Sequence, residues 1–188
     1  MTMKNLRIVL WLALLLPAAG MAQEPGVAIT ETFEDSTLLE WPEYAEKGSS
    51  ALLQDGCFKL TKSSKKGKIP SVAVELPIQL DRDFTIDCKV LAARLSAAEP
   101  FGFGVGTNSF LIFEGKLIRL GTQRFTKIKL KGGKDVTVAL RFEYLNGKSS
   151  LYINNMKVEE FDHPIDLSVC AFSTLSELSI QEFSVIQE

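Results

Sequence analysis

Alternation of apolar and polar residues with a period of two is the feature that most limits the fold of this chain. In DFTIDCKV (83–90) and DVTVALRFEY (135–144), every second residue is apolar and most residues between them are polar. Side chains of a β-strand point alternately to the two sides of a sheet, so these runs are typical of strands with one buried side. No stretch of useful length has the 3.6-residue period of an amphipathic helix. The sequence therefore predicts an all-β fold.

Turn-forming residue pairs fall between the strand-like runs. Asn146-Gly147 and Asn154-Asn155 favour the positive φ angles of tight hairpins, so they predict a three-stranded meander over residues 135–161. Glu114-Gly115 and Gly132-Gly133 separate further runs in the same way. A dozen or so short strands joined by such turns are typical of a sandwich of two packed antiparallel sheets.

The glycine-rich stretch FGFGVGTNSF (101–110) is a strand and not a phosphate-binding loop. Such a loop must open onto a helix whose N-terminus holds the anion, whereas this stretch continues into the strand-like SFLIFEGKLIRL. Phe101, Phe103 and Val105 are predicted to face the core. The glycines then lie on the opposite side of the strand: Gly102, Gly104 and Gly106.

The N-terminal residues 1–22 have the composition of a secretory signal peptide. Lys4 and Arg7 precede the apolar run Ile8–Leu16, and small residues follow up to Ala22, after which cleavage is expected. A membrane-spanning helix needs about 20 apolar residues, so this run is too short for one. The sequence predicts a single mature domain, residues 23–188, that is exported to a periplasm or beyond and has no membrane span.

Charge and cysteine content exclude several classes of protein. The net charge is −2 and no basic run is interleaved with aromatic residues, so nucleic acid is not an expected partner. The chain has three cysteines, Cys57, Cys88 and Cys170, in no zinc-binding pattern. An exported protein tolerates disulfides, but an odd number of cysteines leaves at least one thiol unpaired. The sequence therefore allows one disulfide and does not say whether it forms.

A series of motifs resembles secreted bacterial domains of the concanavalin A-like lectin and glucanase superfamily. The resemblance covers about residues 30–187. It rests on Phe33, Asp35 and Trp41, then on Asp55-Gly56, and on a late hairpin turn at Asn154-Asn155. These lie within segments that follow one another in the order typical of the superfamily: TFEDSTLLEWPEY, LLQDGCFKL, RDFTIDCKV, FGFGVG with SFLIFEGKLIRL, LYINN and LSIQEFSVIQ.

The resemblance implies a jelly roll of two antiparallel sheets, one of them concave. Members of the superfamily include sugar-binding lectins, glycan hydrolases and domains without known activity, so the fold alone does not fix the function. Laminarinase-type members carry their catalytic carboxylates as Glu-x-Asp-x-Glu on one strand, and no such run occurs here. Glycoside hydrolysis by that mechanism is therefore not expected. A catalytic pair formed by carboxylates on different strands is an alternative that the sequence leaves open.

Two sets of residues are candidates for ligand binding. Gly102, Gly104 and Gly106 lack side chains and would open a groove in which a sugar or peptide approaches the backbone; the alternative is a bulky neighbour or a local twist. The second set is a polar patch that would bind sugar hydroxyls or stack on a ring, the alternative being a surface cross-strand pair. It consists of Arg141, Glu143 and Tyr152.

Other polar residues fit no catalytic or metal pattern. His163 is the only histidine, and no serine or cysteine motif frames it. No cofactor is expected, and a structural calcium ion at Asp35 stays open. Two groups of lysines are expected to protect a strand edge or to lie in a solvated loop, with attraction of an acidic polysaccharide as the alternative. They are Lys127, Lys129 and Lys131 on one side of a strand, and Lys62, Lys65, Lys66 and Lys68 in a loop.

These observations favour an exported, non-catalytic binding module for a glycan or another polymer of the cell envelope. The first alternative is a glycoside hydrolase or lyase with an unusual catalytic set on the same fold. The second is a structural or assembly protein that holds a partner on its sheet surface, for which an exposed apolar patch would be the sign.

Overall fold

The computed structural model describes residues 26–34, 37–122, 124–162 and 165–188, and within these ranges every regular element is a β-strand. The all-β prediction is confirmed. No helix in this part of the chain is long and apolar enough to cross a membrane. The fifteen strands are β1 (Val27–Glu31), β2 (Tyr44–Glu46), β3 (Ser49–Gln54), β4 (Cys57–Thr61), β5 (Ser71–Glu75), β6 (Phe84–Leu95), β7 (Phe101–Val105), β8 (Asn108–Phe113), β9 (Lys116–Arg119), β10 (Arg124–Lys127), β11 (Gly133–Leu145), β12 (Lys148–Ile153), β13 (Met156–Phe161), β14 (Val169–Thr174) and β15 (Glu177–Gln187).

The strands form two antiparallel sheets, which confirms the predicted sandwich. The nine-stranded sheet has the order β13-β12-β11-β6-β15-β4-β3-β2, and the six-stranded sheet has the order β10-β9-β8-β7-β14-β5. The ninth strand of the larger sheet, β1, pairs with the last part of β15, so that Val27 lies opposite Gln187. Alternate residues of β6 and β11 are buried between the sheets, as the period of two predicts.

The predicted meander is present as β11, β12 and β13. Its two turns use the left-handed backbone region, with φ of 51° at Asn146 and 76° at Gly147 in the first turn and 50° at Asn154 and 62° at Asn155 in the second. Consecutive positive φ angles give a hairpin turn whose twist matches that of the flanking strands. Asparagine and glycine tolerate these angles, so the sequence specifies both turns locally.

An aromatic cluster fills the core beside the loop that joins β1 to β2. The Trp41 ring lies 5.0 Å from the Phe58 ring, 5.4 Å from Phe183 and 6.3 Å from Phe172, measured between ring centroids. Aromatic pairs of this kind contribute about 0.5–1.5 kcal/mol each beyond their burial. The buried carboxylate of Glu31 holds the loop in place, because one of its oxygens accepts hydrogen bonds from the backbone amides at 38 and 39 over 2.7 and 2.6 Å.

The expected one-sided lysine strand is shorter than predicted. β10 ends at Lys127, and neither Lys129 nor Lys131 lies in a strand. The backbone beyond Lys127 instead bonds to the turn between β8 and β9: the Ile128 amide donates to the Gly115 carbonyl over 3.0 Å, and the Gly115 amide donates to the carbonyl at 130 over 2.8 Å. Alternate burial continues through this segment although it is not part of a ladder, which is why the pattern misled the prediction.

All three cysteines are free, so the disulfide that the sequence left open is not formed. Cys88 on β6 and Cys170 on β14 are buried and belong to different sheets, whereas Cys57 is partly exposed. Burial raises the pKa of both the Cys88 and the Cys170 thiol, because the thiolate loses its hydration between the sheets.

Candidate functional site

A groove of about 460 Å³ crosses the outer face of the six-stranded sheet. It passes over β5, β14, β7 and β8, and its volume lies within the range of about 300–1,000 Å³ that is usual for ligand pockets. The side chains that point into it, or the glycines that form its floor, are Ser71, Ala73, Gly102, Gly104, Ser109, Leu111, Leu120, Ala171 and Ser173.

Strand register arranges these residues in two rows across the sheet. In the first row Leu111 lies opposite Gly102, Gly102 opposite Ser173, and Ser173 opposite Ser71. The second row runs in parallel and is made of Leu120, Ser109, Gly104, Ala171 and Ala73, with Leu120 placed by the hydrogen bond from its amide to the Ser109 carbonyl over 2.8 Å. The groove exists because β5, β14 and β7 carry only Ser, Ala or Gly at these outward-facing positions.

Small groups surround the two central glycines. A Cβ atom on Gly102 would overlap the Ser173 hydroxyl, and one on Gly104 would lie 3.2 Å from both the Asn108 carbonyl oxygen and the Ser109 hydroxyl. The Leu111 side chain lies 3.8 Å from the position of a Cβ atom on Gly102. The space above both glycines is open and forms part of the groove.

Gly106 does not belong to this groove, contrary to the predicted strand side. β7 ends at Val105, and Gly106 has a φ of 59° in the turn that follows. This turn packs against the segment before β14, where the Asp166 carboxylate accepts hydrogen bonds from the amide and hydroxyl of Thr107 over 3.1 and 3.0 Å. The strict alternation of FGFGVG continues one residue beyond the strand, which is why the sequence suggested a third member of the row.

The second candidate set lies on the other sheet. Arg141 on β11 is opposite both Tyr152 on β12 and Asp87 on β6. The structure therefore brings Arg141, Glu143 and Tyr152 close to one another, but it places them on the sheet opposite to the two groove glycines. A single ligand does not contact both sets.

These polar residues already have partners within the protein. The Arg141 guanidinium donates two hydrogen bonds to the Asp87 carboxylate, over 2.7 and 3.2 Å, and this pairing raises the pKa of Arg141. A hydrogen bond with Glu143 is the main cause of the raised pKa of Tyr152. Their role in ligand binding stays a prediction, and the partners they have in this structure are those of a cross-strand surface network.

A second, smaller depression of about 230 Å³ lies beside this network, on the outer face of the nine-stranded sheet. It contains two carboxylates, Asp87 and Glu182, which are the groups that glycan hydrolysis would require. Each is paired with a cation, Asp87 with Arg141 and Glu182 with Lys89 over 2.8 Å. Both carboxylates of the depression are therefore neutralised by cations of the protein itself.

The groove itself has no chemical group that could act as an acid or a base. None of its lining residues is Asp, Glu, His, Lys, Arg, Cys or Tyr. General acid–base catalysis needs such a group within hydrogen-bonding distance of the reacting atom. In the described part of the chain, no cluster of three or more His, Cys, Asp or Glu residues could hold a metal ion.

The outer faces of the two sheets differ in polarity. On the six-stranded sheet the first row of the groove extends past Leu111 to Ile118 and Phe125, and the Phe125 side chain is 64% exposed. On the nine-stranded sheet ion pairs cover the surface, among them Lys59–Glu177 and Lys157–Glu160. Exposed apolar surface beside a groove is typical of a contact site.

Several predicted features lie outside the described residues. They include the signal peptide, His163, and Asp35 as a possible calcium ligand.

Most of the groove could not be predicted from the sequence. Outward-facing Ser71 and Ala73 on β5, and Ala171 and Ser173 on β14, are a weak signal, because their meaning depends on which strands lie next to β7.

Comparison with known proteins identifies the fold. No known family model matches the chain, and no curated protein is similar to it in sequence. Among solved structures, the carbohydrate recognition domain of Emp47p matches with a TM-score of 0.62 and 10% identity over 85% of this chain and 94% of that domain. The β-glucanase of Bacillus licheniformis matches with a TM-score of 0.60 and 8% identity, over 87% of this chain and 99% of the enzyme.

A third match is an alginate lyase of polysaccharide lyase family 7, with a TM-score of 0.54 and 11% identity over 78% of this chain and 85% of the lyase. The fold is thus a two-sheet jelly roll of the concanavalin A-like type, as the resemblance seen in the sequence implied for the fold. These neighbours bind or degrade carbohydrates. At such low identity the likeness establishes the fold, and the function must be argued from the residues of the groove.

Proposed function

We propose that the protein binds a neutral glycan, without catalysis, in the groove of the six-stranded sheet. The observation that carries this proposal is the lining of the groove, which combines aliphatic side chains with three hydroxyl groups and no ionisable group. Sites of mostly apolar surface with a few hydrogen-bonding groups suit ligands that have both apolar and hydroxyl-bearing faces. A pyranose ring has both kinds of face.

The absence of charge in the groove argues for a neutral ligand. A carboxylate or sulfate group that enters the groove loses hydration without gaining an ionic partner, and this is unfavourable. The carbohydrate-related neighbours of the same fold support a glycan over other neutral polymers. The proposal includes export of the protein, for which the charged, apolar and small-residue pattern of residues 1–22 is the support.

The test is a glycan array of neutral and acidic polysaccharides, read with the wild-type protein and the Ala171→Trp variant. Ala171 points outward from an interior strand at the centre of the groove, so an indole ring there would occupy the binding space. The matched control is Ala139→Trp, on interior strand β11 with its side chain on the outer face of the other sheet.

We expect neutral glycans to bind the wild-type protein and the Ala139→Trp variant, and binding to be lost in Ala171→Trp. Circular dichroism and thermal unfolding serve as the control that both variants are folded. The proposal would be refuted if the wild-type protein bound no neutral glycan, or if a folded Ala171→Trp variant bound glycans as well as the wild-type protein does. Release of reducing ends or unsaturated products from a bound glycan would replace it with the enzyme hypothesis.

A further inference from the structure

We infer that the groove selects 6-deoxyhexoses, sugars in which a methyl group replaces the hydroxymethyl group at C-6. The inference rests on the proposed function and adds the class of sugar. It follows from the supply of hydrogen-bonding partners in the groove and from the positions of its aliphatic side chains.

The groove offers few partners to sugar hydroxyls. Its only polar side chains are Ser71, Ser109 and Ser173, and no amide or charged group accompanies them. The backbone of β7 and β14 contributes little, because β7 pairs with both β8 and β14, and β14 pairs with both β7 and β5. Ladder hydrogen bonds on both sides use the amides and carbonyls of β7 and β14. On the edge strand β5, the Ser71 amide donates to the Tyr44 hydroxyl over 3.0 Å. Each sugar hydroxyl beyond the reach of the serines therefore loses water without replacement.

The aliphatic groups are placed to receive a methyl group. Leu111 and Leu120 stand at the β8 side of the two rows, across the glycine floor from Ser173 and Ala171. Along the first row the surface changes from apolar to polar. It begins with the aliphatic side chain of Leu111, crosses Gly102, and ends at the adjacent hydroxyl groups of Ser173 and Ser71. A sugar whose hydroxyls face these two serines places its opposite edge against the leucines. A methyl group is favourable there, and a hydroxymethyl group finds no partner among the leucine side chains.

The experiment compares two glycosides that differ only in one oxygen atom, methyl α-L-fucopyranoside and methyl α-L-galactopyranoside. Each is titrated into the protein, and the methyl NMR signals of Leu111, Leu120 and Ala171 report binding in the groove. We expect the fucoside to have a Kd lower by about 10-fold to 100-fold, which is the discrimination that an apolar site achieves for one small group. Methyl α-L-rhamnopyranoside and methyl α-L-mannopyranoside repeat the comparison with a different arrangement of ring hydroxyls, and a preference for the deoxy sugar in either pair supports the inference.

A variant tests whether the leucine edge causes the preference. Leu111→Asn supplies an amide partner at this edge and is expected to reduce the preference to less than about threefold, since the added hydrogen bond compensates the hydroxymethyl group. Leu111→Ser replaces it if the asparagine variant is unfolded. The matched control is Leu91→Asn, an outward-facing leucine of β6 on the other sheet, which should leave the preference unchanged.

The outcomes separate this inference from the proposed function. Equal or tighter binding of the hydroxymethyl sugar in both pairs, with shifts in the groove signals, would overturn the 6-deoxyhexose inference and leave neutral glycan binding intact. The same holds if none of the four glycosides binds while neutral glycans without 6-deoxy sugars bind the groove. If no glycan of any kind perturbs the groove signals, both are overturned.

Discussion

Gly102 on β7 lies directly opposite Ser173 on β14, and the Ser173 hydroxyl occupies the space that a side chain at position 102 would need. The hydroxyl is thereby part of the groove floor instead of being shielded by a neighbouring side chain. A residue without a side chain at one position thus allows a polar group of the next strand to reach the ligand. The pairing of Gly102 with Ser173 therefore supplies one of the hydroxyl groups on which the proposed glycan specificity depends.

Replacing Gly102 with alanine should cost little stability, less than about 1 kcal/mol, because only the rotatable Ser173 hydroxyl has to move. The informative comparison is Gly132→Ala, where a Cβ atom would lie 2.6 Å from the backbone carbonyl oxygen of Leu95, which is held by the fold. We expect that variant to lose about 1–3 kcal/mol through overpacking. Urea denaturation of both variants gives the two values, and equal losses would show that the Ser173 hydroxyl is not free to rotate.

Truncation of Phe172 should be among the most destabilising single changes in the chain. Its ring lies 5.6 Å from Phe103 and 6.3 Å from both Trp41 and Phe183, so it links the aromatic clusters of the two sheets. We expect Phe172→Ala to lower the free energy of unfolding by about 3–5 kcal/mol. Phe125→Ala, at an exposed position of the same sheet, should change it by less than about 0.5 kcal/mol. Comparable losses in chemical denaturation would contradict this description of the core.

Variants of the polar network on the nine-stranded sheet should leave glycan binding unchanged. Arg141→Met removes the paired hydrogen bonds to Asp87, and Tyr152→Phe removes the hydroxyl that interacts with Glu143. The partly exposed Arg141–Asp87 pair is worth at most about 1 kcal/mol, so both proteins should remain folded. If either variant lost binding on the array while Ala171→Trp kept it, the site would belong on this sheet.

The stability of the protein should fall as the pH rises above about 8.5, the pKa of an unperturbed thiol. Burial raises the pKa of Cys88 and Cys170, so the folded protein retains both protons in the range in which the unfolded chain releases them. Each thiol then lowers the free energy of unfolding by up to about 1.4 kcal/mol per pH unit. Removing one thiol with Cys170→Ala should make this slope shallower. Parallel slopes for the wild-type and variant proteins between pH 8.5 and 10, measured by urea denaturation, would argue against burial of the thiol.

The strands and turns of the meander could be predicted from the sequence because their signals are local. The alternation in β11 and the asparagine-containing turns act over a few residues, and each specifies its own backbone conformation. The same kind of signal failed where local pattern and tertiary pairing differ. Alternation continued through Gly106 and Lys129, but both lie beyond the end of their strands. Gly106 has a φ of 59° although its amide still donates to the Val169 carbonyl of β14, and the residues on either side of Lys129 bond to the turn at Gly115.

The groove was beyond prediction because it depends on non-local register. Gly102 was identified as a candidate from its own strand, whereas Ser173 and Ser71 contribute only because β14 lies next to β7 and β5 lies next to β14. Sequence separations of about 30 and 70 residues divide these strands from β7, and no local pattern encodes which of them are neighbours. Arg141, Glu143 and Tyr152 are the reverse case. Their proximity to one another was predicted correctly from neighbouring strands, but no local pattern encodes that they lie on the sheet opposite to Gly102.

Pairing of β1 with β15 places the first and last described strands side by side, with Val27 opposite Gln187. Both belong to the nine-stranded sheet, away from the groove. A resin, surface tether or fluorescent label attached near either position would therefore leave the groove accessible. The same proximity allows a circularly permuted protein, in which a short linker joins the two ends and new ends open at the exposed Asn146-Gly147 turn.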